Sequence, residues 1–467
     1  MLRLLCLFLF AAPVLAAEPA DLIIHSGQIV TMDAQRRVLD DGVVVVRGSD
    51  ILAVGGRALL SRYDAAERID AQGGIVMPGM INLHNHLPMV AFRGIGEYAV
   101  ENIVLDVMFP LEKALLSREL IRIAARHAAM ELALAGTTLV TDMYYHEDAV
   151  ARSVAEVGIR GVLGETVIGF PVVDAPEPYG GLAVAEAFIR DWQDHALITP
   201  AVAPHSPYTV GPVQLKASLA LAERYDVPVL IHLAEFRDEP FWVAERHEDY
   251  RPDGSLIAYL DALGVFADRV LAAHVIHVDA ADRAILKRHG VGVAHNPKAN
   301  SMDATGLAPG WEMRRDGLDI GLGTDGPMSS NQLDILTVMS HAAAVARARQ
   351  RSRLPFTPAD LVELATLGGA RALDREAELG SLEPGKRADI VILETQSPNM
   401  QPNYDPYATI VFAAYPGNVT TTIVHGRVIV RDRKLLTVDL EKHRSQWQAV
   451  TQRVRDFAKT LPLSGKK

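Results

Sequence analysis

Short apolar runs parted by turn residues occupy both ends of the chain, and a regular strand–helix alternation fills the middle. Asp21 to Val30, Gly42 to Val46 and Ile51 to Val54 read as strands near the start. Ala388 to Leu393 and Thr421 to Val430 have the same texture near the other end. The simplest arrangement folds residues 17–77 and 377–440 together as a small β-sandwich, with the middle inserted as its own domain. That middle, residues 78–376, holds eight apolar runs ending near His86, Tyr144, Val167, His205, Leu233, His274, His295 and Thr324. Helical patterns lie between them, as at Arg118–Ala135, Pro212–Tyr225 and Ala280–His289. Eight βα units in roughly 300 residues predict an α/β fold, a (β/α)8 TIM-like barrel with chemistry at the carboxyl ends of its strands. No glycine fingerprint follows the first strand, which argues against a doubly wound sheet. Residues 441–467 are expected to form a helical tail.

The chain has 467 residues, 49% of them hydrophobic and 22% charged, which is a globular profile. Acidic residues outnumber basic ones by 57 to 46, and no basic patch stands out, so nucleic acid is not an expected partner. Residues 1–16 read as a secretory signal peptide: Arg3, an apolar run from Leu4 to Leu15, and compact residues at Val14-Leu15-Ala16. The apolar run is too short for a stable span, so a periplasmic or secreted protein with no membrane anchor after cleavage is expected. Cys6, the single cysteine, lies in this leader. The mature chain therefore has no thiolate, and any metal must sit on His, Asp or Glu.

Pro78-Gly79-Met80-Ile81-Asn82-Leu83-His84-Asn85-His86 reads as a strand ending in two histidines spaced i, i+2. Alternate strand residues share a face, so both imidazoles can converge on one divalent cation such as zinc. Val229 to Glu235 places His232 at a strand end and Glu235 three residues on. For both to serve one site the chain must bend after Leu233; His232 is then a third ligand and Glu235 a proton shuttle. His274 terminates the sixth apolar run, and Asp325 ends the eighth as a carboxylate ligand that can also accept a proton from water. His205 is either a satisfied core histidine or a site residue. His277, His295 and Asn296 are open between substrate contact and support, and Glu112 carries no signal of its own.

With these residues in place the chain resembles the amidohydrolase superfamily, in the branch of methylthioadenosine/S-adenosylhomocysteine deaminases and triazine hydrolases. The resemblance runs from about Asp21 to Asp439 and includes Ala365-Thr366, Gly368-Gly369-Ala370, Gly380-Ser381-Leu382 and Gly385-Lys386-Arg387-Ala388-Asp389. It implies His84, His86, His232 and Asp325 as metal ligands, Glu235 as the shuttling acid and His274 as the residue orienting the attacking water. It further implies substrate contacts at Glu112 (to ribose hydroxyls), at His205 in the motif Pro204-His205-Ser206-Pro207-Tyr208, and at Ser329. The cofactor implied is one divalent ion, zinc, with iron or manganese as alternatives. The activity implied is hydrolytic deamination of an amino-substituted heterocycle, an adenosine- or methylthioadenosine-like nucleoside or a related purine or pterin. Cyclic-amide or triazine hydrolysis is the alternative on the same site. A binding protein without catalysis is a remoter one, since such a protein would be marked by a lost ligand. A homo-oligomer is the expectation from the family. Three positions depart from the pattern: Glu165 and Leu182 stand where relatives that act on S-adenosylhomocysteine carry arginines, and Ile103 stands for a tryptophan. Losing a bidentate arginine argues against a carboxylate-bearing substrate.

Overall fold

A computed structural model describes residues 17–97 and 107–461. The expected leader with Cys6, and Ile103, lie outside the described residues.

Five strands precede the barrel: β1 (Glu18–Val30), β2 (Val38–Arg47), β3 (Asp50–Gly55), β4 (Tyr63–Asp70) and β5 (Ile75–Pro78). The barrel strands are β6 (Met80–Asn82), β7 (Thr137–Tyr144), β8 (Arg160–Val167), β9 (Ile198–Pro204), β10 (Val229–Leu233), β11 (Val270–His274), β12 (Gly292–His295) and β13 (Ile320–Leu322). Four more follow: β14 (Ile390–Leu393), β15 (Val419–Val424), β16 (Arg427–Arg431) and β17 (Lys434–Leu435).

Both chain ends join edge to edge in one nine-stranded sheet, ordered β17-β16-β15-β14-β5-β1-β2-β3 with β4 on β1. The seam is β5 against β14, antiparallel, with Met77 facing Val391 and Val76 facing Ile392. Period-two alternation gives the sheet two apolar faces. Leu22, Ile24, Val44, Val46, Ile390 and Ile392 pack on one, while Ile23, Val43, Val45 and Tyr63 pack on the other. The sequence pattern did not anticipate β4 or β5. Strand β4 buries only Tyr63 fully, and β5 is a four-residue piece that merges with the next apolar run. Thr421–Val430 is a hairpin, because His425 and Gly426 both take left-handed backbone (φ 54° and 76°), the two-residue turn that matches strand twist.

The eight barrel strands run parallel in sequence order from β6 to β13. The ring closes where Leu83 N–H donates to the Leu322 carbonyl at 2.9 Å. Ile81, Leu139, Val162, Ala201, Leu230, Leu271 and Ala294 fill the interior, joined by Ala370 and Ala372 of the helix Leu367–Ala372. That helix lies so close that a Cβ on Gly321 would stand 2.7 Å from the Gly369 Cα. Here is a packing reason for the Gly368-Gly369 signature.

One buried ion pair pins barrel to sheet. The guanidinium of Arg160, on β8 and 2% exposed, donates to Asp389 at 2.8 and 3.1 Å, one residue ahead of β14. The C-terminal helix Leu440–Ala458 packs Val450 and Val454 into the apolar layer shared with the helix Arg118–Leu134. Among the described residues no helix is long and apolar enough to cross a membrane.

Candidate active site

Strand β6 stops at Asn82, so His84 and His86 lie beyond it and not within it. Side-chain amides replace the ladder there. Asn82 and Asn85 both donate to the Thr324 hydroxyl at 2.7 Å, and the Asn85 carbonyl oxygen accepts the His86 N–H at 2.8 Å. Asp325 N–H in turn donates to the His84 carbonyl at 2.9 Å, which ties the first and last strands at the mouth.

Five side chains meet at this end of the barrel. The nearest oxygen of Asp325 is 3.4 Å from His84 Nε2 and 3.5 Å from His86 Nε2, and the Nε2 atoms of His86 and His232 are 3.2 Å apart. Two overlapping groups, His84/His232/His274 and His84/His86/Asp325, each hold their ligand atoms within 4.8 Å of one another. Second partners fix the ring orientations. His86 Nδ1 meets the Met143 carbonyl and His232 Nδ1 the His205 carbonyl, both at 2.7 Å; His274 Nδ1 meets Asn300 Oδ1 at 2.8 Å. A ring that donates Nδ1–H to a carbonyl presents a lone pair at Nε2. Nε2 of His84 and of His274 are buried with no hydrogen-bond partner. Converging lone pairs beside a carboxylate repel unless a cation lies among them, so this donor set fits a divalent metal.

Burial sets the charge states. It pushes His84 down to about 4, which leaves that ring neutral at pH 7 as metal ligation requires, and His205 to about 3, helped by neighbouring imidazoles. Asp325 is driven upward by burial, but His84, His274 and His86 around it more than offset this and hold it below the usual carboxylate range. Glu235 goes the other way: burial, then Asp325, Glu239 and Asp303, push its carboxyl well up, in the direction that favours the protonated form.

The chain does bend after Leu233. Ala234 has left-handed backbone (φ 51°), and the turn is held by Glu239, whose carboxylate accepts the N–H groups of Ala234, Glu235 and Phe236 at 3.1, 2.7 and 3.4 Å. Glu235 thereby reaches 3.8 Å from His274 Nε2. His274 (φ 73°) and Asp325 (φ 64°) are strained in the same sense, as site residues often are.

A cavity of about 560 Å³ opens above the cluster and is lined by His86, His232, Glu235, His274 and Asp325. Glu112, His205 and Ser329 line it too. The Tyr144 hydroxyl donates to Glu112 at 2.6 Å, and burial raises the Glu112 carboxyl to about 7. His205 Nδ1 is engaged by Thr209 at 2.9 Å and Ser206 at 3.1 Å. His277 lies on the cavity wall, whereas His295 is buried beside Gly310 and does not line it.

Glu165 and Leu182 do not line the cavity, which removes the argument drawn from them. On β8 it is Thr166 that faces the cavity; its neighbour Glu165 points the other way and accepts the Glu147 N–H at 3.0 Å. Arg237, by contrast, stands exposed on the cavity wall. Sequence reasoning also passed over Asp303, Tyr144, Asn300 and Glu239. Asp303, Asn300 and Glu239 end no apolar run and nothing in their spacing marks them, while Tyr144 served only to mark the end of β7.

Residues 75–429 match the Amidohydrolase family. The chain is 33% identical over 449 residues to the 5-methylthioadenosine/S-adenosylhomocysteine deaminase of Syntrophobacter fumaroxidans, covering 96% of this chain and 100% of that one. It is 38% identical over 419 residues to the enzyme of the same name from Symbiobacterium thermophilum, covering 88% and 94%. Among solved structures, an adenosine deaminase from Xanthomonas campestris with bound zinc superposes with a TM-score of 0.89 at 30% identity, over 94% of this chain and 100% of that one. Atrazine chlorohydrolase from Arthrobacter aurescens superposes at 0.83 with 23% identity over 92% and 100%, a likeness of fold. With its ring of eight strands, its histidine-rich mouth and a match spanning most of its length, the chain belongs to the amidohydrolase family.

Proposed function

We propose that this chain is an exported, metal-dependent hydrolytic deaminase that releases ammonia from an amino-substituted heterocycle of adenosine or methylthioadenosine type. The observation that carries the reading is Glu235, a carboxyl that the bend after Leu233 brings to the cavity wall, 3.8 Å from His274 Nε2. An amine leaves poorly without a proton donor, whereas chloride needs none. The names of the relatives support the same choice.

His84, His86, His232 and Asp325 would hold the ion, zinc by analogy with the Xanthomonas structure. Such an ion lowers the pKa of the water it binds to about 7 and so supplies a nucleophile at working pH. Asp325 would accept a proton from the attacking water, and His274 would orient that water. Glu235 donates to the ring nitrogen beside the amine-bearing carbon, which makes that carbon electrophilic. After addition, Glu235 would take the proton of the new hydroxyl and relay it to the departing amine, and the proton held by Asp325 would then restore Glu235, so that water and substrate yield a carbonyl heterocycle and ammonia. Glu112, oriented by Tyr144, accepts from sugar hydroxyls, and His205 and Ser329 fix the base. A homo-oligomer and a periplasmic or secreted location complete the proposal; the leader sequence supports the location.

The test is ammonia release from adenosine, methylthioadenosine, S-adenosylhomocysteine, guanine-type bases and pterins. S-adenosylhomocysteine belongs in the panel because Arg237 offers a cation at the cavity. Turnover of at least one 6-aminopurine nucleoside is expected. Silence on the whole panel, with chloride or carboxylate released from a triazine or cyclic amide, overturns the reading.

A further inference from the structure

Two carboxyl groups flank His274. Strands β10, β11 and β12 are neighbours in the barrel; Glu235 follows the first, His274 ends the second, and Asp303 lies beyond the third, at the end of the helix Pro297–Met302. Asn300 and Asp303 are spaced i, i+3, so they share one face of that turn. Asn300 holds His274 at 2.8 Å, and Asp303 is therefore carried past it along the same face, onto the cavity wall. The turn is pinned: Asp303 N–H donates to the Ala299 carbonyl at 2.9 Å, and the N–H groups of Thr305 and Gly306 return to the Asn300 carbonyl at 3.1 and 3.4 Å. The Asp303 carboxyl shares the wall of the cavity with Ser329, His274, Asp325 and Glu235. Nothing in the deamination scheme so far uses Asp303.

We propose that Asp303 is a specificity-determining residue, which with Ser329 receives the ring-nitrogen edge of a fused amino-heterocycle on the side of the amine away from Glu235. The inference rests on the deaminase reading. An adenine-type base carries a lone-pair nitrogen on each side of its amine. With the amine-bearing carbon set before His274, one nitrogen meets Glu235 and the second ring turns its own nitrogen toward Asp303. That nitrogen accepts, so its partner must donate. Burial and the nearby Asp325 raise the Asp303 carboxyl to about 7, so at neutral pH about half of it carries the proton it would donate. A single-ring substrate would leave this buried group unmatched, which disfavours it.

The test compares adenosine with 7-deazaadenosine, where a C–H replaces that nitrogen, on the zinc-loaded full chain. Wild type should favour adenosine by roughly tenfold in kcat/KM, the worth of one buried hydrogen bond. Asp303→Leu should bring the two substrates within about twofold of each other, by losing on adenosine. Asp303→Asn, which keeps an N–H donor, should retain most of the preference. The same comparison is made by calorimetric binding of the products, inosine and 7-deazainosine. Equal treatment of each pair by wild type, or an unchanged preference in Asp303→Leu, overturns the assignment and leaves the deaminase reading standing. Discrimination in binding that Asp303→Leu abolishes, with no ammonia from any amino-heterocycle, supports Asp303 and overturns the deaminase reading. If neither nucleoside reacts and neither product binds, both are overturned.

Discussion

Burial acts on the site's residues in opposite directions, and that contrast gives each its part. Imidazoles taken out of water lose their protons, as the proposed ligation requires; Glu235, taken out of water next to Asp325, has its carboxyl pushed well up, as the proposed donor role requires. Asp325 escapes the rule because its imidazole neighbours favour its charge. Replacing Glu235 with Gln keeps the size and the ligand set but removes the titrating proton. Glu235→Gln should therefore bind zinc like wild type, by metal analysis, while kcat falls by roughly 10²–10⁴, the usual worth of general acid–base help. Near-normal turnover in that variant would remove Glu235 from the mechanism. The metal should persist because His84, His86, His232 and Asp325 are untouched.

At the scale of elements, the strand ends aim these side chains, and some pay in backbone strain. Ala234, His274 and Asp325 all hold left-handed backbone, a cost of about 1–3 kcal/mol each for ordinary residues. Hydrogen bonds hold the strained turns in place: Glu239 takes three N–H groups after β10, and Val275 N–H donates to the Leu233 carbonyl at 3.0 Å after β11. The barrel and the sheet are joined just as locally. Arg160 reaches from β8 to Asp389, whose Oδ1 also accepts the His425 N–H at 2.8 Å. Arg160→Met leaves Asp389, 6% exposed, without its cation. Breaking a buried pair in this way costs about 3–5 kcal/mol. Urea unfolding should show a loss of that order, with zinc content unchanged in the folded fraction. A loss below about 1 kcal/mol would place Asp389 in better contact with water than its burial indicates.

Across the whole molecule, the mouth of the barrel gathers groups from strands far apart in sequence. His84 and Asp325 lie 3.4 Å apart although 241 positions separate them, and the cation they fit should act as a clasp between the first and last strands. Any ligand that binds only the folded state stabilises it by mass action, about 2.7 kcal/mol at a hundredfold excess over its Kd. Dialysis against a chelator is thus expected to abolish ammonia release and lower Tm by several degrees, and added zinc to restore both. A Tm unmoved by verified metal loss would mean that the clasp contributes nothing to folding.

Strand–helix alternation alone dictated the barrel, because apolar runs of strand length separated by amphipathic helices have few other ways to be buried. Histidines and acids at run ends marked His84, His86, His232, His274 and Asp325, since a polar residue that terminates a buried strand faces the barrel mouth. Even the bend after Leu233 followed from requiring His232 and Glu235 to serve one site. Tertiary structure alone decided the rest. β4 and β5 exist because β1 offers them edges, the nine strands form one sheet because β5 finds β14, and Glu165 turns away from the cavity because β8 presents Thr166 instead. Asp303, Asn300 and Glu239 matter through partners on other strands or across a tight turn. The underlying reason is that periodicity reports which face a residue takes within its own element, whereas contacts between elements depend on register and closure.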